Sequence, residues 1–297
     1  MKKSDIKKIL VPVDFSDASD TAVAEAAGLA VLLKSELVLL HVVEDRVYAA
    51  SALDTVEVIL PNFGAIKKEI GKKMADLQKH INKKYEIKCT IHILNGHIHT
   101  EIKTLAKKKK INLIVMGTHG ASGFKEYFIG SNAQRVVTIS DVPVLTTPVK
   151  AKKMSFKNIL IPIDNSIHSR AKVNIALIFA DLFNANIHLI GLPGTKDKTE
   201  VSKFNIKLKS VEKHIEDQGF SYSSKIVSGT NTAEAALSYA TKNKCDLIVI
   251  NTGHESKTTG MFMGMFSQQI VNHSNVAVLS FKHLDGAVSI DTPGFAL

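Results

Sequence analysis

The 297 residues contain no tryptophan and only two cysteines, Cys89 and Cys245. Two thiols in a chain of this length cannot staple a disulfide-built scaffold, and no C-x-x-C or Cys/His spacing offers a structural zinc site. Long apolar runs are missing as well. The start, MKKSDIKKILVPVD, is basic, but its apolar run from Ile9 to Val13 stops at Asp14. That is too short for a signal peptide, and no stretch approaches the roughly 18 apolar residues of a membrane span. The expectation is a cytoplasmic chain with no membrane partner. Also absent are G-x-x-x-x-G-K-[ST], the Walker phosphate loop, and a G-x-G-x-x-G dinucleotide fingerprint after the first strand. No Ser/His/Asp or Cys/His arrangement carries an identifiable nucleophile signature, so no catalytic residue is assigned.

What the chain does have is 45% hydrophobic and 22% charged residues, the balance of a soluble globular protein. The length suits two domains of about 150 residues each. The net charge is +10, spread over both halves with local runs such as Lys107 to Lys110. Lysine far outnumbers arginine, and no aromatic-and-basic ribbon offers a stacking platform, so the excess reads as a solvated surface and not as a nucleic-acid footprint.

An internal repeat sets the organisation. Lys7-Lys8-Ile9-Leu10-Val11-Pro12-Val13-Asp14 returns as Lys157-Asn158-Ile159-Leu160-Ile161-Pro162-Ile163-Asp164, 150 positions on. Leu113 to Met116 returns as Leu247 to Ile250, and Val142 to Leu145 as Val276 to Leu279, both at an offset of 134. The second copy has therefore lost about 16 residues between its first and fourth strands. The expected domains are residues 1–150 and 155–283, joined by a short lysine-rich linker, with a loop-like tail at 284–297.

Apolar β-branched runs predict strands at Ile9–Asp14, Leu37–Val43, Ile87–Leu94, Leu113–Gly117 and Val142–Thr147 in the first copy. They predict strands near Ile159–Asp164, Ile187–Gly191, Tyr222–Val227, Leu247–Asn251 and Val276–Phe281 in the second. ILVPVD and LIVMG are apolar on successive residues, as strands covered on both faces are. Helices are expected at Ser19–Lys34, Phe63–Lys84, Thr100–Lys109 and Ser131–Ser140, giving an open parallel α/β fold. Glu44–Asn62 reads as a long loop with room for a short helix, and the second copy mostly lacks it.

One loop carries the chemistry. Gly117-Thr-His-Gly120-Ala-Ser-Gly123-Phe-Lys-Glu-Tyr-Phe-Ile-Gly130-Ser131 has the spacing G-x2-G-x9-G-S between a buried strand and a helix. Glycine leaving a strand lets backbone approach a ligand closely. Gly130-Ser131 opens a helix whose free N–H groups and dipole suit a phosphate, with the Ser131 hydroxyl as a further donor. By this reasoning valine at 117 or 130 should abolish binding without unfolding the chain. His119 and Lys125 lie inside the same loop and are not counted among the site residues. Asp14 also reads as a helix N-cap.

With this spacing and Val11-Pro12-Val13-Asp14 on the first strand, the chain resembles a tandem universal stress protein of the UspA family over essentially both halves. The resemblance implies, in each half, an adenine nucleotide alpha hydrolase-like fold: a five-stranded parallel sheet of order 3-2-1-4-5 with helices on both faces. It implies ATP, with Mg²⁺ held mainly by the phosphates, bound where the strand order reverses. Carried over by position, Pro12, Val13 and Asp14 flank adenine and ribose. Val42, Val43 and Met116 contact the base, and Gly117, Gly120, Gly130, Ser131 and Asn132 cradle the phosphates. In the second copy Asn251, His254 and Met265 replace Gly117, Gly120 and Ser131, and only Gly264 keeps its place, so weak or no ATP binding is expected there. The function implied is that of an ATP-binding stress-response sensor or regulator, with slow ATP hydrolysis or phosphotransfer and a nucleotide-independent scaffold as the alternatives. The two copies are expected to pair through their fifth-strand edges, with a homodimer left open. His92, His97 and His99 cluster around Asn95-Gly96, but no carboxylate or thiol stands at a ligand-like spacing, and no metal site is assigned.

Overall fold

The computed structural model describes residues 3–44, 46–50, 55–59, 63–118, 130–148, 155–166, 170, 172–252, 254–256 and 260–282. The first half runs β1 (Lys8–Pro12), α1 (Asp17–Leu33), β2 (Glu36–Val43), β3 (Arg46–Ala50), β4 (Thr55–Ile59), α2 (Phe63–Tyr85) and β5 (Cys89–Asn95). It continues with α3 (Ile98–Lys109), β6 (Leu113–Gly117), α4 (Ser131–Ile139) and β7 (Val144–Thr147). The second half runs β8 (Asn158–Asp164), α5 (Val173–Phe183), β9 (Asn186–Leu192), α6 (Lys198–Asp217), β10 (Tyr222–Ile226) and α7 (Thr232–Lys242). It ends with β11 (Leu247–Asn251), β12 (His254–Ser256), β13 (Gly260–Phe262), α8 (Met265–His273) and β14 (Ala277–Phe281).

Ten of these strands form one sheet in the order β10-β9-β8-β11-β14-β7-β6-β1-β2-β5. Each half is parallel and has the expected order 3-2-1-4-5 once its hairpin is set aside. The two first strands share a register: Ile9 pairs with Leu113 and Ile159 with Leu247. At the centre β7 and β14 run antiparallel, with Leu145 opposite Leu279. The Thr146 hydroxyl crosses this seam to the Val278 carbonyl at 3.3 Å. Nearby, Lys282 is almost buried and lies 3.9 Å from Asp141, which also faces Lys103 at 3.7 Å.

Alternation along each strand divides the core into two layers. Ile9 and Val11 face one cluster with Leu37, Leu39, Leu145, Ile159, Phe179 and Leu279, continuous across both halves. Leu10 faces the other, with Val38, Leu40, Met116, Val136, Ile248 and Val278. Phe156, just before β8, is held edge-on against Phe183 at 5.1 Å, which ties the chain entering the second half to α5. Because both faces are covered, the strands read as unbroken apolar runs and not as alternating ones.

Glu44–Asn62 departs from expectation. It contains an antiparallel hairpin, β3 with β4, in which Arg46 is opposite Ile59. Val47, Tyr48, Val56, Val58 and Ile59 are β-branched or aromatic, and such residues favour extended backbone over a short helix. The second half passes from β9 to α6 without a counterpart, which accounts for most of its missing length. Its own hairpin, β12 with β13, stands where the first half has the glycine-spaced loop.

Leu145 and Leu279 are fully buried and in register. Leu279→Ala is expected to cost about 2 to 5 kcal/mol. The Leu145→Ala/Leu279→Ala double variant should be non-additive by more than about 0.5 kcal/mol, read by urea denaturation, since the two positions are direct neighbours.

Candidate functional site

The parallel order brings the carboxyl ends of β1 and β6 side by side, with β2 on the flank. Beyond β1 the chain turns sharply. Phe15 takes a left-handed φ of 60°. Asp14 Oδ1 accepts hydrogen bonds from the Ser16 amide at 3.0 Å and the Ser16 hydroxyl at 2.5 Å. Ser16, and not Asp14, is the N-cap of α1, its hydroxyl accepting from the Ser19 amide at 3.2 Å. Asp14 is therefore the residue that holds the cap in place, and it remains half-buried at the mouth.

Pro12 and Val13 are buried at the end of β1. Val42 is partly buried against the second core layer, the layer that also holds Met116, and Val43 is 6% exposed. One neighbour went unnoticed in the sequence. His41 Nδ1 donates to the Val13 carbonyl at 2.7 Å, and its ring lies 5.2 Å from Phe15. Burial lowers the His41 pKa, against the opposing pull of the Val13 carbonyl and Asp14, so a neutral ring with its proton on Nδ1 braces this end of the crevice.

Gly117 ends β6, and its glycine is required by the fold itself. A Cβ there would lie 2.8 Å from both the Cβ and the carbonyl oxygen of Ala18 in the first turn of α1. The close approach is to a helix. After Thr118, the chain returns at Gly130, whose amide donates to the Thr118 carbonyl at 2.6 Å. Gly130 then starts α4, and among the described residues no side chain caps it; first-turn amides at such a start suit an anion. Ser131 and Asn132 are exposed at that turn. Gly120, His119 and Lys125 fall outside the described residues.

The second half repeats the frame with different contents. Asp164 Oδ1 accepts from the Ser166 amide at 2.9 Å and hydroxyl at 2.6 Å, the same turn as at Asp14. Gly264 starts α8 with φ −60° and ψ 152°, against −59° and 146° at Gly130, again without a side-chain cap. Met265, in the place of Ser131, is 82% exposed. Helix α5 begins only at Val173, six residues later than the start of α1 would place it. Just before it stands Lys172, 2% exposed, where the first half has Ala22. Burial pushes the Lys172 ammonium down to about 8, with Asp164 pulling the other way.

His97 and His99 stack at 6.0 Å at the start of α3, after Gly96, whose φ of +136° explains the glycine of that turn. Among the described residues no group of three His, Cys, Asp or Glu side chains is arranged to hold a metal. Burial pushes the Cys89 and Cys245 thiols up to about 12, so neither is a nucleophile near neutral pH. No described helix is long and apolar enough to cross a membrane.

A model of the universal stress protein family matches residues 5–148 and again residues 155–282. The chain belongs to the universal stress protein family. A universal stress protein of Bacillus subtilis is 34% identical over 143 residues, 46% of this chain and 96% of the relative. One from Methanocaldococcus jannaschii is 29% identical over 157 residues, 48% and 96%. One from Synechocystis aligns at 21% over 295 residues, 93% of this chain and 100% of the relative, which supports a tandem architecture. A crystal structure of a universal stress protein from Archaeoglobus fulgidus superimposes with a TM-score of 0.73 over 94% of this chain and 98% of that one, at 22% identity. That likeness is one of fold.

Two outcomes follow for this universal stress protein. Gly117→Val should lower stability by about 3 kcal/mol with no ligand present, because β6 and α1 must part; thermal denaturation of the ligand-free variant measures it, and an unchanged Tm would remove the packing argument. Lys172 has a folded pKa of about 8 against the ordinary lysine value of 10.5, so between those values the unfolded chain holds the extra proton and this group makes stability rise with pH. The stability gap between Lys172→Met and the parent should therefore move in the parent's favour by on the order of 3 kcal/mol from pH 8 to 10.5, read by urea denaturation across that range.

Proposed function

We propose that the first half binds an adenine nucleotide, ATP in the first instance, and that the protein acts through that binding as a cytoplasmic stress-response sensor or regulator. The observation that carries this reading is the glycine start of α4, with no side-chain cap among the described residues and with Ser131 and Asn132 exposed, after the strand that neighbours β1 at the switch point. There the Gly130 and Ser131 amides and the Ser131 hydroxyl would take the phosphates, with Gly117, Gly120 and Asn132 completing the cradle. Asp14 sets a carboxylate at the mouth of the crevice, the acceptor chemistry that a ribose hydroxyl takes. Pro12, Val13, Val42, Val43 and Met116, at the ends of β1, β2 and β6, would supply the apolar contacts to adenine, Val13 from one core layer and Val42 and Met116 from the other. Mg²⁺ would be held by the phosphates themselves, since hard cations take oxygen ligands.

The second half is proposed to bind ATP weakly or not at all. It keeps the turn and the helix start but sets Met265 at the hydroxyl's position and Asn251 at the glycine's. We read residues 1–150 and 155–283 as the two domains and 284–297 as a tail, the β7–β14 seam taking the place of a homodimer contact.

Calorimetry with ATP, with and without Mg²⁺, tests this. About one nucleotide per chain is expected. Ser131→Met, which copies the second half onto an exposed position, should weaken binding by about tenfold, the loss of a charge-assisted hydrogen bond with added bulk. Met265→Ser should leave the affinity within about twofold. No heat with any adenine nucleotide would overturn the proposal, and a large loss in Met265→Ser would reassign the site to the second half.

A further inference from the structure

The first half buries one carboxylic acid that its duplicate does without. Glu25 lies two turns into α1 and is 7% exposed. Its neighbour is Thr147, the last residue of β7, 1% exposed. Glu25 Oε2 and Thr147 Oγ1 are buried without a well-formed hydrogen bond among the described residues, although the Thr147 hydroxyl is near enough to favour the ionised carboxylate. A buried polar atom left in this state costs free energy, so the pair is not explained by stability. The repeat supplies the comparison: the matching positions of the second half are Ile175, 2% exposed, and Phe281, packed into the same apolar layer. The fold is thus built at this point from two hydrocarbons in one half and from an acid and a hydroxyl in the other.

Thr147 is joined to the cradle by backbone. Its carbonyl accepts from the Thr118 amide at 3.0 Å, and the Thr118 carbonyl accepts from the Gly130 amide at 2.6 Å. Thr147 is also the register partner of Gly117. Two hydrogen bonds therefore separate the residue beside Glu25 from the start of α4. Protonated, the carboxyl can donate to the Thr147 hydroxyl oxygen; ionised, it can only accept, and the Thr147 hydroxyl must turn to donate.

We propose that Glu25 is a proton-linked switch for the first-half cradle, in which loss of its proton to solvent repositions Thr147 and, through Thr118 and Gly130, the first turn of α4. Burial raises the Glu25 pKa from 4.5 to about 7, and the Thr147 hydroxyl pulls part of the way back. Of the groups facing it from α1, α2 and the strands beneath, Thr147 alone acts on its ionisation besides burial; among the described residues no charged side chain does. The folded chain thus holds a proton that the unfolded chain has lost between pH 4.5 and about 7, and this group's contribution to stability falls as pH rises through that window. The coupling to nucleotide rests on the function proposed above; the motion of α4 does not.

The test follows the Thr118 and Gly130 amide resonances of the full ¹⁵N-labelled chain from about pH 5.5 to 8.5 without nucleotide, a range that brackets the Glu25 transition. Both should trace one sigmoid with its midpoint near 7, and both should be flat in Glu25→Gln and in Glu25→Ile, the residue the second half already carries. Flat traces in the parent, or the same sigmoid in the variants, would overturn the switch. Calorimetry with ATP at about pH 6 and 8 should then show the parent's affinity falling roughly threefold relative to both variants, which share the nucleotide's own phosphate ionisation. If the amides titrate and ATP binds at neither pH, the nucleotide reading fails and the switch stands; if ATP binds and the amides are flat, the reverse holds.

Discussion

Two short strands hold the molecule's two halves in one sheet. β7 and β14 would each be the exposed edge of a five-stranded sheet, with open amides and carbonyls beside some of the most apolar residues of the chain. Paired antiparallel, with Leu145 against Leu279 and Val144 against Ser280, they close that edge and make the layer on the α1 and α5 face continuous from Ile81 to Ile215. The remaining sheet edges are β5 and β10, far from the seam. Because the pairing is antiparallel, the carboxyl ends of the two halves point to opposite ends of the sheet. Each switch-point crevice is therefore alone at its own end, and the two were free to diverge.

That divergence shows which features belong to the frame and which to a site. The turn made by Asp14 with Ser16 recurs in Asp164 with Ser166 almost atom for atom, although α5 starts too late for Ser166 to cap it. The turn therefore belongs to the frame, whatever Asp14 also does for a ligand. The uncapped glycine start of α4 recurs in α8. What differs is what surrounds these elements: Gly117 lets Ala18 come close in the first turn of α1, whereas the second half has Asn251 at that place and a buried Lys172 just before the later start of α5. Glu25 and Ile175 differ in the same way, a titratable group against a hydrocarbon in equivalent buried places.

The strands and most helices could be read directly, because a sheet covered on both faces leaves unbroken apolar runs such as Ile9–Val13 and Leu113–Met116. The fold followed from the repeat, since two copies of one β/α alternation admit few topologies. Candidate positions in the crevice were legible where glycine spacing marks backbone: Gly117 and Gly130 stand at the end of β6 and the start of α4. Their physical reasons were less legible. Gly117 signalled an open approach in the sequence, yet its close neighbour is Ala18, a residue 99 positions away whose packing no local pattern reveals. His41 reads as one polar residue in an apolar strand, and nothing along the chain tells that its ring braces Val13 and Phe15. The hairpin in Glu44–Asn62 was missed because its short β-rich runs lie in a segment with no partner in the second copy to compare.

By itself the sequence determined the class of fold, the duplication and the asymmetry between halves, because these depend on the period of apolar residues and on substitutions at matched positions. Only the tertiary structure decided that β7 meets β14, that Gly117 is required by a helix, and that the Glu25 acid and the Lys172 base are buried. Those depend on which surfaces come to within a few ångströms of each other, a property of distant segments brought together and of the dielectric they create there.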